Sequence, residues 1–434
     1  MTRRWNRMRE DCLSRLNWGR GLFLILLVVS LLSLTVSPTT GAAPARDFFK
    51  VGVVTSLSGE LAFGGNVTKR GYDMWADTVN QLGGIEIAGK RYRVQLIYAD
   101  DQSTPATAAV AGERLITQEQ VDFILGPYAS GTTLALAPIT EKYKVPHITG
   151  SAESPLIWQR KFKYTFGTIP PVSINAQAPI QTLAQDVSPK PQTIAILGID
   201  DPFSKFAAEA FRTAAQKFGI KVVRYEIVPE GSDYTPAVSA AKAQNPDIFA
   251  IGSHEKAAIE MIKAAKELKF NPKAFVQHYG MTTPDFRKGL GKDAEYVFGA
   301  SVWTANLNYK ATILFTTPKE YAEKFKAKFG TEPDYTEAAS TAAGIAFQEA
   351  LRQIKATPPL DQAEKDALVA ALEKLNIMTF YGPVKFATSG DYYHSNAGLQ
   401  PIALQYQGGK LVEVGPGKLA LAKPRYPTPP WDRR

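Results

Sequence analysis

The chain has 434 residues, of which 45% are hydrophobic and 21% charged, a balance typical of globular proteins with buried cores. This length exceeds one ordinary domain and suits two. The 50 basic and 41 acidic residues give a net charge of +9. Residues 1–45 contribute +4 of this, from six arginines against Glu10 and Asp11, and the remainder is spread without a basic stripe. The charge pattern therefore argues against a nucleic-acid partner.

The N-terminal segment has the three parts of a secretory signal. Basic residues extend to Arg20, an apolar core of 16 residues runs from Gly21 to Val36, and small residues follow to Ala45. The core is shorter than the roughly 20 residues that a membrane helix needs. We predict a signal peptide over residues 1–45, cleaved after Ala45 or Ala43, and a periplasmic mature protein. An uncleaved N-terminal anchor is the alternative.

The single cysteine of the chain predicts a mature periplasmic protein without disulfides. Cys12 is the only cysteine of the chain, and it lies within the predicted signal. The mature chain would then have no disulfide, no thiolate chemistry and no cysteine-based metal site. No cofactor or metal is expected, and we find no later apolar stretch long enough to cross a bilayer.

From Phe48 onward, short apolar runs alternate with amphipathic helical stretches. The runs are continuous rather than alternating, which is typical of strands covered on both faces. Repeated β-α units of this kind predict an α/β fold with parallel sheets and helices on both sides. The predicted strands are Phe48–Val54, Tyr92–Tyr98, Asp122–Leu125 and Val145–Thr149 in a first series, and Thr193–Ile199, Lys221–Val228, Asp247–Gly252 and Lys273–Tyr279 in a second.

The two series of strands predict two doubly wound lobes. The pattern breaks at Thr165–Gln177, and return passages fit Phe298–Trp303 and Phe380–Phe386. A hairpin is predicted around Gly408-Gly409. We therefore expect lobe 1 to comprise residues 46–168 plus 304–380, lobe 2 to comprise residues 173–298 plus 385–415, and residues 416–434 to form a Pro-rich tail, extended or disordered.

The common catalytic patterns are missing from the sequence. It contains neither G-x-S-x-G nor H-E-x-x-H, and its four histidines are scattered. Asp100 and Asp101 could act as paired carboxylates. The surrounding YADDQSTP instead favours a strand end, a turn and a helix N-cap at Ser103 or Thr104. We predict that the protein is not an enzyme.

Three loops rich in glycine and small hydroxyl residues follow predicted strands. They are Thr55–Gly65, Gly126–Thr133 and Thr149–Pro155, and each leads towards a helix. Ligands bind at this edge of open parallel sheets. A helix start also offers unpaired N–H groups and the positive end of the dipole, which suit a carboxylate. Ordinary turn and cap chemistry is the alternative, and we favour a binding site because all three loops belong to one sheet edge.

Four segments in this order carry a family resemblance: KVGVVTSLSG, RGYDMWADTVNQLGGI, VQLIYADDQSTPATA and VDFILGPYASGTTLALAPITEKYKVPHITGSAESP. They resemble the periplasmic branched-chain amino acid-binding family, the receptors of ABC importers, over about residues 48–415. The resemblance implies the type I periplasmic-binding fold, in which two α/β lobes are joined by a three-segment hinge. It also implies a small-molecule ligand clamped in the cleft, a membrane permease as partner and no catalysis. We expect a monomer.

Candidate ligand-binding residues come from matching this family's loops. The loops after the third and fourth strands would hold the ligand's carboxylate, and two Phe residues would close over the ligand where the family more usually has Tyr. The predicted residues are Phe63, Ser130, Gly131, Thr132, Ser151, Ala152, Glu153, Phe203, His254 and Tyr279. Trp303, just after the second hinge passage, is a weaker cleft candidate.

Two departures from the family pattern leave the ligand open. Glu153 stands where the family has a hydroxyl residue, and Tyr279, beside His278, stands where the family has the acid that pairs the ligand's amino group. Either Glu153 binds an amino group, or the ligand is an aromatic or aliphatic acid or an amide without one. A ligand-sensing module for a membrane signalling protein, or a secreted α/β enzyme acting on a small carboxylate, are the alternatives to an importer receptor.

Overall fold

The computed structural model describes residues 46–396 and 398–434, so the predicted signal peptide and Cys12 lie outside the described residues. A six-stranded sheet organises the first half. It is parallel except at the edge strand β2, which pairs antiparallel with β3. In spatial order its strands are β2 (Ile85–Ile87), β3 (Lys90–Asp100), β1 (Phe48–Thr55), β4 (Phe123–Leu125), β5 (His147–Thr149) and β6 (Thr165–Gly167).

A seven-stranded sheet organises the second half. Five of its strands are parallel, and the antiparallel hairpin β14–β15 completes one edge. In spatial order the strands are β15 (Lys410–Gly415), β14 (Ile402–Gln407), β11 (Phe298–Ser301), β10 (Ala274–Gln277), β9 (Ile248–Gly252), β7 (Thr193–Ile199) and β8 (Lys221–Val228). A separate small hairpin joins β12 (Ile377–Thr379) to β13 (Gly382–Val384).

The predicted strands are confirmed, with shifts of a few residues at their ends. Thr193–Ile199 and Lys221–Val228 have the expected bounds, whereas Tyr92–Tyr98 extends to Lys90–Asp100. The turn at Asp100 and Asp101 is confirmed as well: the Thr104 side chain accepts the N–H of Thr107, and a helix begins at Pro105. The α/β fold class of the sequence prediction therefore holds.

The two large sheets are separate, and helices cover both faces of each one. Each sheet with its helices forms a lobe. Lobe 1 carries α1 (Ala62–Gln81), α2 (Pro105–Thr117), α3 (Ser130–Tyr143), α4 (Pro155–Gln159), α11 (Pro318–Phe329), α12 (Tyr335–Ile354) and α13 (Gln362–Lys374). Lobe 2 carries α5 (Val172–Asn175), α6 (Gln177–Gln185), α7 (Pro202–Lys217), α8 (Thr235–Ala243), α9 (Glu255–Glu267) and α10 (Pro284–Leu290).

Helices α1 and α12 pack unusually closely in lobe 1. A Cβ at Gly71 would come within 2.6 Å of the Ser340 Cβ and would collide with the Glu337 carbonyl. A Cβ at Gly344 would overlap the indole of Trp75, which is fully buried. Since only glycine leaves room for these approaches, the pair is fixed as one rigid layer beneath the sheet.

The final crossing from lobe 1 to lobe 2 comes after residue 396, later in the chain than the predicted residue 385. Residues 385–396, assigned to lobe 2 from the sequence, instead lie along β6 of lobe 1. Ser395 bridges Gly167, and the His394 imidazole stacks on Phe166 with ring centroids 3.8 Å apart. This segment covers the otherwise open edge of the first sheet, where β6 would expose unpaired N–H and C=O groups.

The Pro-rich tail is extended and packs on lobe 2. The Trp431 indole N–H donates to the Phe270 carbonyl at 3.0 Å, and the Thr428 N–H donates to the Lys273 carbonyl at 2.7 Å. The Arg434 guanidinium lies 3.5 Å from the centroid of the Trp431 ring. Residues 416–434 contain two short 3₁₀ turns, Gly417–Leu419 and Trp431–Arg433, and no other helix or strand. Among the described residues, no helix is both long and apolar enough to span a membrane.

Candidate functional site

The carboxyl ends of both sheets meet at one small cavity between the lobes. Lobe 1 contributes the loops that follow β4 and β5, and lobe 2 contributes those that follow β7, β9 and β10. The enclosed space is about 10 Å³, which is room for roughly one water molecule, so the lobes are in contact here. The lining residues are Tyr128, Ser130, Ser151, Glu153, Phe203, His254 and Tyr279.

Helix α3 points an uncapped N-terminus towards this cavity. Its N-cap residue is Ala129, which has no side chain able to accept the first N–H groups. The start of α7 differs, because the Asp201 carboxylate accepts the N–H groups of Phe203 and Ser204. The start of α12 is likewise capped by Asp334. The positive end of α3 is therefore open to an anionic group.

Two serine hydroxyls hold the lobe 1 loops side by side. Ser130 Oγ accepts the N–H groups of Glu153 at 3.2 Å and Ser154 at 3.0 Å. Ser151 Oγ donates to the Tyr128 carbonyl at 2.9 Å. Both side chains are buried, and the bonds fix the two loops at the cavity wall.

The Glu153 carboxylate is buried and receives three hydrogen bonds. One oxygen accepts the Tyr335 hydroxyl at 2.9 Å, and the other accepts Asn175 Nδ2 at 2.8 Å and is 3.2 Å from His278 Nε2. Glu153 and His278 are each only 1% exposed. Because Glu153 belongs to lobe 1 and His278 to lobe 2, this contact joins the lobes directly.

His254 forms a second polar contact between the lobes. Its Nδ1 lies 3.0 Å from the Tyr128 hydroxyl of lobe 1, and its Nε2 lies 3.7 Å from Asp201. Burial alone lowers the pKa of His254, but the facing Asp201 carboxylate, with Glu255 and Glu230, raises it above the ordinary value. Burial also raises the pKa of the neighbouring Glu255 carboxyl. The protonated form of His254 is therefore favoured at this end of the cavity.

Aromatic rings from both lobes surround the cavity. The Phe203 ring lies 4.8 Å from His254 and 5.6 Å from His278, centroid to centroid. The Tyr279 ring lies 5.9 Å from both Tyr128 and Tyr335 of lobe 1. The Tyr279 hydroxyl is buried without a hydrogen-bond partner among the described residues, and burial raises its pKa well above the usual range. An unpaired hydroxyl in this position is free to bond to a solute.

Four predicted residues do not line the cavity. Phe63 is half-buried in the first turn of α1, and the Thr132 hydroxyl donates to the Ala129 carbonyl at 3.0 Å. Ala152 packs in a small apolar cluster with Trp158. Gly131 stands at the junction of the lobes, where an added Cβ would lie 3.9 Å from Pro202 of lobe 2.

Sequence reasoning missed Tyr128 and Tyr335. Tyr128 lies inside the GPYASGTT loop, whose hydroxyl and glycine residues predict a binding site. Tyr335 is the first residue of α12, whose start is marked by a capping box of Asp334 and Glu337. This box predicts a helix start, but only the fold shows that the start reaches the cleft.

A family model described as periplasmic binding protein matches residues 49–398. The chain belongs to the periplasmic binding protein family. Leu/Ile/Val-binding protein homolog 8 of Brucella melitensis is 25% identical over 411 residues, covering 92% of this chain and 98% of that protein. The resemblance to the branched-chain amino acid-binding family is therefore confirmed. Members of this family bind substrates rather than transform them.

Solved structures of periplasmic binding proteins confirm the type I fold. A leucine-binding protein from Thermotoga maritima has a TM-score of 0.71 at 19% identity, with 85% of this chain and 98% of that chain covered. A Rhodopseudomonas palustris solute-binding protein in complex with benzoate also has a TM-score of 0.71, at 18% identity, with 85% and 96% covered. A Streptococcus pneumoniae branched-chain amino acid transporter protein in complex with isoleucine has a TM-score of 0.70 at 19% identity, with 84% and 97% covered.

The described residues hold no group of three or more His, Cys, Asp or Glu side chains arranged for a metal ion. Most polar side chains of the cavity have hydrogen-bond partners within the protein, and the open groups are the α3 N-terminus and the Tyr279 hydroxyl. This arrangement can bind and orient a small solute, as expected for a periplasmic binding protein.

Proposed function

We propose that this protein is the extracytoplasmic receptor of an ABC importer and binds a small organic carboxylate between its lobes. The observation that carries the proposal is the uncapped N-terminus of α3 at an aromatic-lined cavity formed by both lobes. Phe63, Gly131, Thr132 and Ala152 remain candidates for an open form of the cleft. A secreted position would place the receptor where an importer meets its solute.

The acid group of the solute would bind at the start of α3. The N–H groups of the first turn and the positive end of the helix dipole favour an anion there. His254, whose pKa is raised, adds a proton donor from lobe 2. The N-termini of α7 and α12 are capped by Asp201 and Asp334. A second acid group would therefore bind less favourably there than at the uncapped start of α3.

An α-amino group is not required by this site. The Glu153 carboxylate already has three donors from the protein, so it is satisfied without an ammonium group. Phe203 and Tyr279 would contact the apolar body of the solute. Proteins of this fold have been solved with isoleucine and with benzoate, so the fold itself accommodates acids with and without an amino group.

Binding would favour the closed arrangement of the lobes. A solute that touches α3 of lobe 1 and Phe203 of lobe 2 has more contacts when the lobes are together. The lobes must separate before it binds, because the closed cavity has room for about one water molecule. Opening and closing about the crossings between the lobes would thus accompany each binding event.

A thermal-shift comparison of matched solutes tests the ligand class. Leucine and 4-methylpentanoate differ in the amino group, and benzoate and benzamide differ in the acid group. We expect 4-methylpentanoate or benzoate to raise the melting temperature and benzamide to leave it unchanged. Stabilisation by leucine alone would reject the proposal that the solute is an acid without an amino group. It would instead favour Glu153 as the partner of the ligand's ammonium group.

Single substitutions test the pocket itself. Replacing Ser130 by alanine removes the hydroxyl that holds the loop beside the α3 N-terminus, and we expect carboxylate affinity to fall about tenfold, which corresponds to about 1.4 kcal/mol. Ser389, in an exposed turn of lobe 1, provides a matched Ser→Ala control. Unchanged affinity in Ser130→Ala would place the acid group elsewhere. Loss of solute uptake from cells without this protein, restored by the wild type, tests the importer role.

A further inference from the structure

A second and much larger cavity lies between the lobes. This groove has a volume of about 950 Å³, within the range of roughly 300–1,000 Å³ that is usual for small-molecule sites. Residues 330–335 of lobe 1 form one wall, and residues 282–291 with the β14–β15 hairpin of lobe 2 form the other. Tyr335 lines the groove and bonds to Glu153, so its side chain separates the groove from the central cavity.

Three cations of the groove have no ionic partner. Arg287, Lys288 and Lys410 are exposed on the lobe 2 wall, and no carboxylate of the described residues lies within 4.0 Å of their charged nitrogens. Arg287 packs so closely on the β14–β15 turn that a Cβ at Gly409 would collide with its guanidinium. Arg287 and Lys410 therefore lie at the same end of the groove.

The carboxylates of the groove are already engaged. Glu332 forms an ion pair with Lys326 at 2.6 Å. Glu413 accepts the Asn306 amide at 3.1 Å and the Thr304 hydroxyl. Asp334 caps α12 and accepts the Thr282 hydroxyl at 3.2 Å. Glu413 and Asp334 are thus satisfied by neutral donors rather than by cations. The groove has four cations (Arg287, Lys288, Lys326 and Lys410) against three carboxylates, a net charge of +1, and Arg287, Lys288 and Lys410 are the side chains that could bind an added anion.

Apolar side chains line the space between the charges. Trp303, Leu404 and Tyr406 form the floor of the groove and are almost fully buried. The accessible apolar surface comes from Leu411 and Pro333, which are half-buried, and from Pro284, which is exposed. The Trp303 N–H donates to the Phe380 carbonyl at 3.1 Å, so the indole is fixed in position. An occupant would therefore meet a rigid apolar surface next to a cationic end.

We propose that this groove is a second binding site, for an organic anion with an aromatic or acyl body. Its acid group binds at Arg287 and Lys410, and its body lies against Leu411, Pro284 and Pro333. Because both lobes line the groove, the occupant also favours the closed arrangement and is coupled to solute binding in the central cavity. The groove site does not depend on the identity of the central solute.

The aromatic sulfonate 8-anilinonaphthalene-1-sulfonate (ANS) is a suitable probe, since its fluorescence rises in apolar surroundings. We expect saturable binding of one ANS per chain. The double variant Arg287→Glu/Lys410→Glu should weaken binding at least tenfold. The control Lys190→Glu/Lys319→Glu makes the same change in net charge at exposed positions away from the groove, and should change binding less than twofold.

Equal binding of ANS by the groove variant and the wild type would overturn the proposal, as would the absence of saturable binding by the wild type. An equal loss in both double variants would assign the effect to net charge and would also overturn it. The variant Leu411→Asp adds a test of the apolar surface at a half-buried position and should weaken ANS binding while the protein stays folded by circular dichroism. Thermal shifts with central solutes are measured separately, so failure of one site leaves the other open to test.

Discussion

Glu153 is one of the two residues at which this chain departs from the family pattern. A buried carboxylate without partners would be very unfavourable, and here it is stabilised by Tyr335, Asn175 and His278. Its partners come from the core of lobe 1, the start of lobe 2 and the opposite cavity wall. The side chain therefore organises the junction of the lobes, whatever the solute.

The substitution Glu153→Gln should destabilise the protein by about 1–3 kcal/mol. An amide can accept at only one of its two ends, so either the Tyr335 hydroxyl or the Asn175 amide loses its acceptor in a buried place. Urea unfolding at neutral pH measures the loss. Glu60, whose side chain is 64% exposed, provides the control Glu60→Gln, which should change stability little. Equal stabilities of the two variants would contradict this role of Glu153.

The pKa values of the buried histidines should be shifted in opposite directions. The pKa of His254 is raised above the usual value, because the facing carboxylates outweigh burial. Burial lowers the pKa of His147 to about 4, and that of His394 also to about 4. NMR titration of the imidazole protons, assigned with single His→Gln variants, should show His254 titrating at a higher pH than His147 and His394. A midpoint for His254 below that of His147 would refute the assignment.

A pH dependence of stability follows from the raised pKa of His254. The stabilisation from its protonated form is fully present below the unfolded pKa, about 6.5, and is lost as the pH rises through the folded pKa. The variant His254→Gln should therefore lose more stability, relative to the wild type, at about pH 5.5 than at about pH 8.5. Urea unfolding at the two pH values checks this, and a deficit that grows with pH would contradict it.

At the scale of elements, two helices start with the same capping box in different surroundings. Asp334 and Glu337 cap α12 at the lobe junction, and Asp361 and Glu364 cap α13 at the surface. Each Asp satisfies N–H groups of a first turn that would otherwise lack acceptors. Only α12 carries a residue, Tyr335, that bonds to Glu153.

Replacing either Asp by alanine should cost about 1 kcal/mol of stability, the usual effect of losing an N-cap. Asp334→Ala should in addition weaken solute binding, because it loosens the helix start that positions Tyr335 and removes the hydrogen bond from the Thr282 hydroxyl of lobe 2. Asp361→Ala should leave binding unchanged. Calorimetric titration of both variants with a solute identified by thermal shift separates the two effects. Equal affinities would show that the α12 cap does not influence the cavity.

The strands and most of the helical order could be predicted from the sequence, because buried parallel strands are continuous apolar runs and caps are local patterns. The lining residues Ser130, Ser151 and Glu153 could be selected for the same reason, since they follow strands directly. Tyr335 could not, because it reaches the cavity through the packing of α12 on α1. The attachment of residues 385–396 to β6 could not be predicted either, because edge pairing depends on contacts between residues that are distant in sequence.

At the scale of the whole molecule, the closed arrangement is held by direct contacts between the lobes. The Tyr128 hydroxyl meets His254, Glu153 meets His278, and the Thr282 hydroxyl donates to Asp334. Because these contacts join side chains of the two lobes, they contribute to the balance between closed and open forms. A solute then adds its own contacts with both lobes to this balance.

Removing the Tyr128 hydroxyl should shift this balance towards the open form. We expect Tyr128→Phe to weaken solute affinity about fivefold, corresponding to the loss of a hydrogen bond of about 1 kcal/mol. Tyr321 provides the matched control, because its hydroxyl bonds to Thr341 within lobe 1. Tyr321→Phe should lower stability and leave affinity unchanged. Calorimetric titration and small-angle X-ray scattering would test this, and equal affinities of the two variants would count against it.

The segment that covers β6 determines where a reporter of lobe motion can be placed. Chain order suggests that the exposed turn at residues 388–391 belongs with the hairpin β14–β15 that follows it. The bridges of Phe386, Ser395 and Gly167 instead tie this turn to lobe 1. A fluorophore at Ser389 would therefore travel with lobe 1, and a second one at Gly408 would travel with lobe 2. Energy transfer between two labels only 19 positions apart in the chain would then follow the approach of the two lobes.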